Sequence, residues 1–200
     1  HAGDKIVIVD ESLLPLLEQF RNEVNFEHIL VICEPGHQPP KGMLDYEAVL
    51  ADANADEFEY PEFDEHQAAA MCYTSGTTGQ PKGVLYSHRA ITLHTIGTLT
   101  VDGLGVRESD VCLPVVPMFH ANAWGLPFSC VFSGASQVFP GPHLQPENLL
   151  ELLAKLKVTL TAGVPTIWLG MLQILDDDPK KYDLSRVRAM VVGGSAAPQA

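Results

Sequence analysis

Short apolar runs rich in β-branched residues alternate along the chain with stretches whose apolar positions recur at helical spacing. The runs at residues 5–9, 28–33, 69–74, 84–86, 111–115, 136–139, 158–161 and 187–192 predict strands. The intervening patterns predict helices over 13–20, 44–50, 88–100, 124–132, 147–156 and 166–175. The helix after Pro146 is the clearest, because proline suits a first helical turn and Leu149, Leu150, Leu152, Leu153 and Leu156 form one apolar stripe. Strands that alternate with amphipathic helices are the pattern of crossover helices covering largely parallel sheets, so the fold class is α/β.

Composition narrows the picture. The chain has 200 residues, 46% hydrophobic and 18% charged, which is long enough to bury a core and to leave room for a second subdomain. Seven acidic and no basic residues lie between Asp52 and Glu65, around Pro61. A calcium loop needs tighter ligand spacing and a glycine turn, so this tract is expected to be a solvated connector. It divides residues 1–65, part of an N-terminal subdomain, from residues 66–200. With 25 acidic against 12 basic side chains the net charge is −13, which repels phosphate backbones and anionic lipid surfaces and argues against a nucleic-acid partner. No apolar stretch reaches the roughly 18–20 residues that span a bilayer, and no export signal opens the chain. Cys33, Cys72, Cys112 and Cys130 are far apart, without a C-x-x-C pair, which fits a reducing cytoplasm. The chain starts on His1 and stops on the pattern of a strand-to-helix turn, so it is expected to be a piece of a longer polypeptide.

The strongest chemical signal is Tyr73-Thr74-Ser75-Gly76-Thr77-Thr78-Gly79-Gln80-Pro81-Lys82-Gly83, directly after an apolar strand. Glycines let successive N–H groups converge on an anion, hydroxyls add short hydrogen bonds, and lysine brings a mobile positive charge. The segment is not a Walker A loop, because Pro81 precedes Lys82 and a glycine follows it, leading into another strand rather than a helix. A hairpin that holds phosphates is the better reading.

This loop resembles the signature of the AMP-forming superfamily of acyl-CoA synthetases, luciferases and peptide-synthetase adenylation domains. Two further segments match in order and spacing. Val116-Pro117-Met118-Phe119-His120-Ala121-Asn122-Ala123-Trp124-Gly125 resembles the family's histidine-bearing motif, and Val191-Val192-Gly193-Gly194-Ser195-Ala196-Ala197-Pro198 resembles its adenosine-binding turn. The wording is closest to medium- and long-chain fatty acyl-CoA synthetases, from about residue 69 onward. The resemblance implies the acetyl-CoA-synthetase-like large N-terminal domain, truncated, with the C-terminal domain absent.

It also implies a reaction: a carboxylic acid joins the α-phosphate of ATP, pyrophosphate leaves, and the acyl group passes from AMP to coenzyme A. The co-substrates and metal are therefore ATP, coenzyme A and Mg2+. Thr74, Ser75, Gly76, Thr77, Thr78, Gly79 and Lys82 are expected to hold the departing phosphates, and Thr74 to help hold Mg2+ with a glutamate past Ala200. His120 is expected to be a gate and polar contact near the carboxylate. Trp124 would line the path of the acyl chain, and Gly193, Gly194 and Ser195 would admit adenosine without a Cβ in the way. Residues 118–126 contain no Asp or Glu to pair a substrate ammonium, which favours an apolar, uncharged acid. His88 and His94, six apart, do not form a zinc pair.

Other classes remain open at this stage. A nucleotide-binding or oligomerisation module without chemistry would need the same loop, and an NTPase is disfavoured by the missing Walker pattern. The turn at Gly193-Gly194-Ser195-Ala196-Ala197 lacks the last glycine of a nucleophile elbow. By the same resemblance the essential lysine of the small domain lies outside this chain, so the chain alone is expected to form little acyl-adenylate. Some members of the family are homodimers, and no patch in this sequence marks a dimer face.

Overall fold

The computed structural model describes residues 2–75 and 79–196, which divide into two compact units, residues 1–62 and 63–200. In the first unit, β1 (Ile6–Asp10), β2 (His28–Ile32) and the two-residue β3 (Leu44–Asp45) form a parallel sheet in the order β1-β2-β3. Its small core is Val9, Leu17, Val31 and Met43. The helix expected over 13–20 shrinks to a 3-10 turn at Glu11–Leu13 and α1 (Leu14–Leu17). The pattern at 44–50 divides into β3 and α2 (Tyr46–Asp52), because the Asp45 carboxylate accepts a hydrogen bond from Ala48 N–H and starts the helix two residues late. The acidic tract that follows is exposed, with one 3-10 turn at Ala55–Glu57.

The second unit holds an antiparallel hairpin, β4 (Ala68–Thr74) and β5 (Lys82–Ser87), and then α3 (His88–Leu99), capped by the Ser87 hydroxyl. A parallel sheet follows in the order β7-β6-β8-β9, from β6 (Val111–Pro114), β7 (Ser136–Gln137), β8 (Leu160–Gly163) and β9 (Ala189–Val192). Its helices are α4 (Ala121–Trp124), α5 (Leu126–Ser133), α6 (Pro146–Lys155) and α7 (Pro165–Asp177).

Side chains of β6 alternate between two cores, as strand geometry requires. Cys112 and Val116 pack with Leu126 and Cys130 of α5 on one face. Leu113 and Val115 pack with Leu149, Leu150 and Leu153 of α6 and with Trp168 and Met171 of α7 on the other. Of the leucine stripe read from the sequence, Leu149, Leu150 and Leu153 form the buried face of α6, Leu152 is partly buried, and Leu156 follows the helix and is exposed. Helix α3 shows no such stripe, because the residues it buries are Thr95 and Thr98.

One end of this sheet is tied shut. Asp110, Thr159 and Arg188 immediately precede β6, β8 and β9. The Arg188 guanidinium donates to both oxygens of the Asp110 carboxylate, and the Thr159 hydroxyl donates to it at 2.7 Å. Arg107 N–H donates to the second oxygen, and the Thr159 hydroxyl in turn accepts from Val111 N–H at 3.0 Å. Burial pushes the Asp110 carboxyl up. The hydrogen bonds from Arg188, Thr159 and Arg107, with the guanidinium's charge, outweigh burial and hold it at about 2.

Candidate functional site

The carboxyl ends of parallel strands are where α/β folds bind ligands, because the chain leaves the sheet there and exposes backbone N–H groups. In this molecule the three sequence motifs converge on that side through a chain of contacts.

The first motif is the mouth of the β4–β5 hairpin. Thr74 and Lys82 face each other as its last register pair, so both side chains leave the same face of the hairpin at the base of the loop. Lys82 is the first residue of β5 rather than a loop residue, because Pro81 lacks an N–H and ends the loop. Thr74, Ser75, Gly79 and Lys82 are all exposed. Gly79 sits at φ +80° with open space where a Cβ would be, a conformation that glycine adopts without strain. Gly76, Thr77 and Thr78 lie outside the described residues.

The second motif departs from its expected form. The helix expected over 124–132 begins two residues later, and the residues between His120 and it are not right-handed helix. Ala121, Asn122, Ala123 and Trp124 take φ values of 46°, 52°, 50° and 56°, so α4 is a single left-handed turn, closed by Gly125 at φ 74°. The regular helix α5 begins only at Leu126, with Pro127 in its first turn. Left-handed backbone costs an L-residue roughly 1–2 kcal/mol, so surrounding contacts must hold the turn. Ala123 is fully buried, Gly125 N–H donates to Asn122 O at 3.0 Å, and the Cys72 thiol of β4 donates to Asn122 Oδ1 at 3.4 Å. Asparagine tolerates this backbone better than most residues. His120 stands at the entrance of the turn with its side chain exposed.

Trp124 is half-buried and reaches the third motif. A Cβ placed on Gly193 would lie 2.8 Å from the indole ring, so the ring packs against the glycine's bare backbone. Gly194 follows at φ +83° and Ser195 is exposed. Gly193 N–H donates to Gly163 O at 3.3 Å, which continues the β8–β9 ladder by one residue. Ala197 and Pro198 lie outside the described residues.

Beside the left-handed turn is a cavity of about 530 Å³, lined among others by Tyr86, His94, Asn122, Trp124, Gly125 and Phe128. It is mostly apolar, and none of the described residues that line it is Asp or Glu. Pockets of this size and character suit small organic ligands fixed by a few polar groups. The sequence motifs point to Trp124 but pass over Tyr86, His94 and Phe128. Only the helical spacing of His94 behind the hairpin could have drawn attention to it. A second apolar cavity of about 410 Å³ lies between α7 and β9, lined by Trp168, Met171, Leu184 and Met190 among others, with Val192 the residue it shares with the third motif.

Among the described residues no group of three or more His, Cys, Asp or Glu could hold a metal ion. Among the described residues the hairpin mouth instead offers the Thr74 and Ser75 hydroxyls and the Lys82 ammonium, with no carboxylate between them. That donor set fits a polyphosphate accompanied by a magnesium ion that keeps most of its ligands as water and phosphate oxygens.

Comparison with known proteins identifies the family. The family model described as AMP-binding enzyme matches residues 1–200. A long-chain-fatty-acid–CoA ligase of Thermus thermophilus is 48% identical over 200 residues, covering 100% of this chain and 35% of that protein. A 3-methylmercaptopropionyl-CoA ligase of Ruegeria pomeroyi is 43% identical over 202 residues, covering 99% of this chain and 37% of that protein. Among solved structures, an anthranilate CoA ligase in complex with anthranoyl-AMP superposes with a TM-score of 0.82 at 28% identity, over 97% of this chain and 37% of that one. The chain thus spans about a third of the length of the relatives it matches. With a hairpin mouth, a left-handed turn and a Gly-Gly turn gathered at one side of an α/β unit, and a family match over its whole length, the chain belongs to the AMP-binding enzyme family.

Proposed function

We propose that the complete protein activates a medium- or long-chain fatty acid with ATP, first as acyl-AMP and then as acyl-CoA. The observation that carries this reading is the run of contacts from Cys72 of the hairpin to Asn122, through the same turn to Trp124, and from its indole to Gly193. It joins a phosphate-type loop, an apolar cavity and a Gly-Gly turn on which the Trp124 ring packs, the three parts that our reading of acid adenylation uses.

Adenylation brings a carboxylate to a triphosphate, anion to anion. The protein must supply positive charge and oriented N–H groups, and must align the carboxylate oxygen with the α-phosphorus. In our reading Thr74, Ser75, Gly76, Thr77, Thr78, Gly79 and Lys82 hold the β- and γ-phosphates, with Lys82 taking the charge that develops on leaving pyrophosphate. Magnesium, when bound, neutralises phosphate charge, and Thr74 is the residue of this chain that would help hold it. Gly193, Gly194 and Ser195 form the adenosine seat. His120, at the exposed entrance of the turn, is the polar contact for the carboxylate, and Trp124 stands between the nucleotide turn and the cavity. The absence of Asp and Glu from the cavity lining argues against an amino-acid substrate, whose ammonium would be left unpaired. Adenylate formed here would then meet the coenzyme A thiol.

The test is pyrophosphate exchange into ATP by the complete protein, with acids from acetate to palmitate. We expect acid-dependent exchange that is strongest for medium or long chains. ATP binding without exchange for any acid would show a non-catalytic nucleotide-binding module instead.

A further inference from the structure

The cavity beside the left-handed turn contains a polar side chain that the reaction above does not use. His94 projects from α3 into the lining shared by Trp124 and Phe128. Its position is fixed from two sides. A Cβ on Gly125 would lie 2.6 Å from both Cε1 and Nδ1 of the imidazole, so the ring occupies the room that the missing side chain leaves. One helical turn on, the hydroxyls of Thr98 and Ser129 are hydrogen-bonded at 2.6 Å, and Ser129 also donates to Gly125 O. This buried pair clamps α3 to α5 and holds the ring at the cavity wall. Among the described residues neither ring nitrogen has a hydrogen-bond partner.

The geometry points to His94 as a specificity-determining residue of the acyl cavity: it favours an acid whose tail carries a hydrogen-bonding atom at its level over a plain hydrocarbon chain of the same length. This deepens the acid-activation reading and rests on it. In the empty cavity His94 is exposed to water. An alkyl chain that displaces this water leaves the ring unpaired, whereas a tail hydroxyl or similar group restores the bond. Sites built around a polar partner discriminate strongly against analogues that lack it. An acid too short to reach the ring is indifferent to it.

The test uses the complete protein and measures kcat/KM for straight-chain acids from acetate to palmitate and for their terminal hydroxy counterparts. In His94→Leu, plain acids long enough to reach the ring should gain about tenfold and the hydroxy acids that reach it should lose about as much, the factor set by one unpaired polar group. Acetate and the KM for ATP should stay unchanged. His94→Gln, which keeps a donor and an acceptor, should behave like the parent. Equal effects of Leu and Gln, or one uniform factor at every chain length, would show that His94 only packs α3 against α5 and would overturn the inference. Failure of the parent protein to activate any acid would overturn the reading beneath it as well, and is distinguishable because no chain-length series then exists.

Discussion

The two ends of the β7-β6-β8-β9 sheet are built from the same strands and differ in almost every physical respect. At the amino end, Asp110, Thr159 and Arg188 close on one another, with each carboxylate oxygen taken by more than one donor and the Asp110 side chain only 2% exposed. At the carboxyl end, four non-glycine residues in a row hold left-handed backbone, His120 is exposed, and the imidazole of His94 faces a cavity without a hydrogen-bond partner among the described residues. Polar groups paired within the protein at one end and exposed at the other separate what fixes the strands from what is left open for a ligand. Strain is tolerated where the neighbouring structure over-determines it. Here Ala123 buried in the core and the Cys72 thiol on Asn122 supply that constraint.

The largest effect should come from breaking the closed end. Arg188→Ala strands a buried carboxylate, and urea denaturation should show a loss of about 3–5 kcal/mol, with little change in ligand affinity for the fraction that stays folded. Acid should reveal the same tie more gently. Asp110 titrates lower in the folded than in the unfolded chain, so its stabilisation is complete above the ordinary carboxylate range and is lost as pH falls from about 4 toward 2. The parent should lose about 2 kcal/mol over that interval through this group, and Asp110→Asn should remove that part of the slope.

Changes at the open end should cost less stability and more function. Gly193→Ala puts a methyl 2.8 Å from the Trp124 ring and forces the indole aside. We expect about 1–2 kcal/mol of destabilisation with a drop of tenfold or more in acid-dependent pyrophosphate exchange. Asn122→Ala removes the acceptor for the Cys72 thiol and a residue suited to left-handed backbone, and should cost about 1 kcal/mol. If Asn122→Ala proved as damaging as Arg188→Ala, the division between a closed and an open end would not hold.

Much of the parallel framework was legible because burial writes a period into the sequence. The stripe of Leu149, Leu150 and Leu153 marked α6, and the apolar runs marked β1, β2 and β6. Where burial is polar, periodicity is silent: α3 buries Thr95 and Thr98, so its contact with α5 through Thr98 and Ser129 left no apolar signature. The left-handed turn was illegible for another reason. Ala-Asn-Ala-Trp is compatible with an ordinary helix, and only the tertiary contacts of Ala123, Cys72 and Gly193 select the mirror-handed backbone. The motifs located Trp124 and the glycine turns in sequence, while the cavity that Tyr86, His94 and Phe128 line depends on how α3 lies across α5, which spacing does not encode.

The central claim is that the hairpin mouth, with Lys82 opposite Thr74, serves the triphosphate and not the later transfer. In the complete protein, Lys82→Ala should be followed through the two half-reactions separately, acid with ATP to acyl-AMP, and preformed acyl-AMP with coenzyme A to acyl-CoA. The account predicts adenylation slowed by about 10²-fold or more and transfer to coenzyme A largely intact. Equal loss in both half-reactions, or none in adenylation, would contradict it.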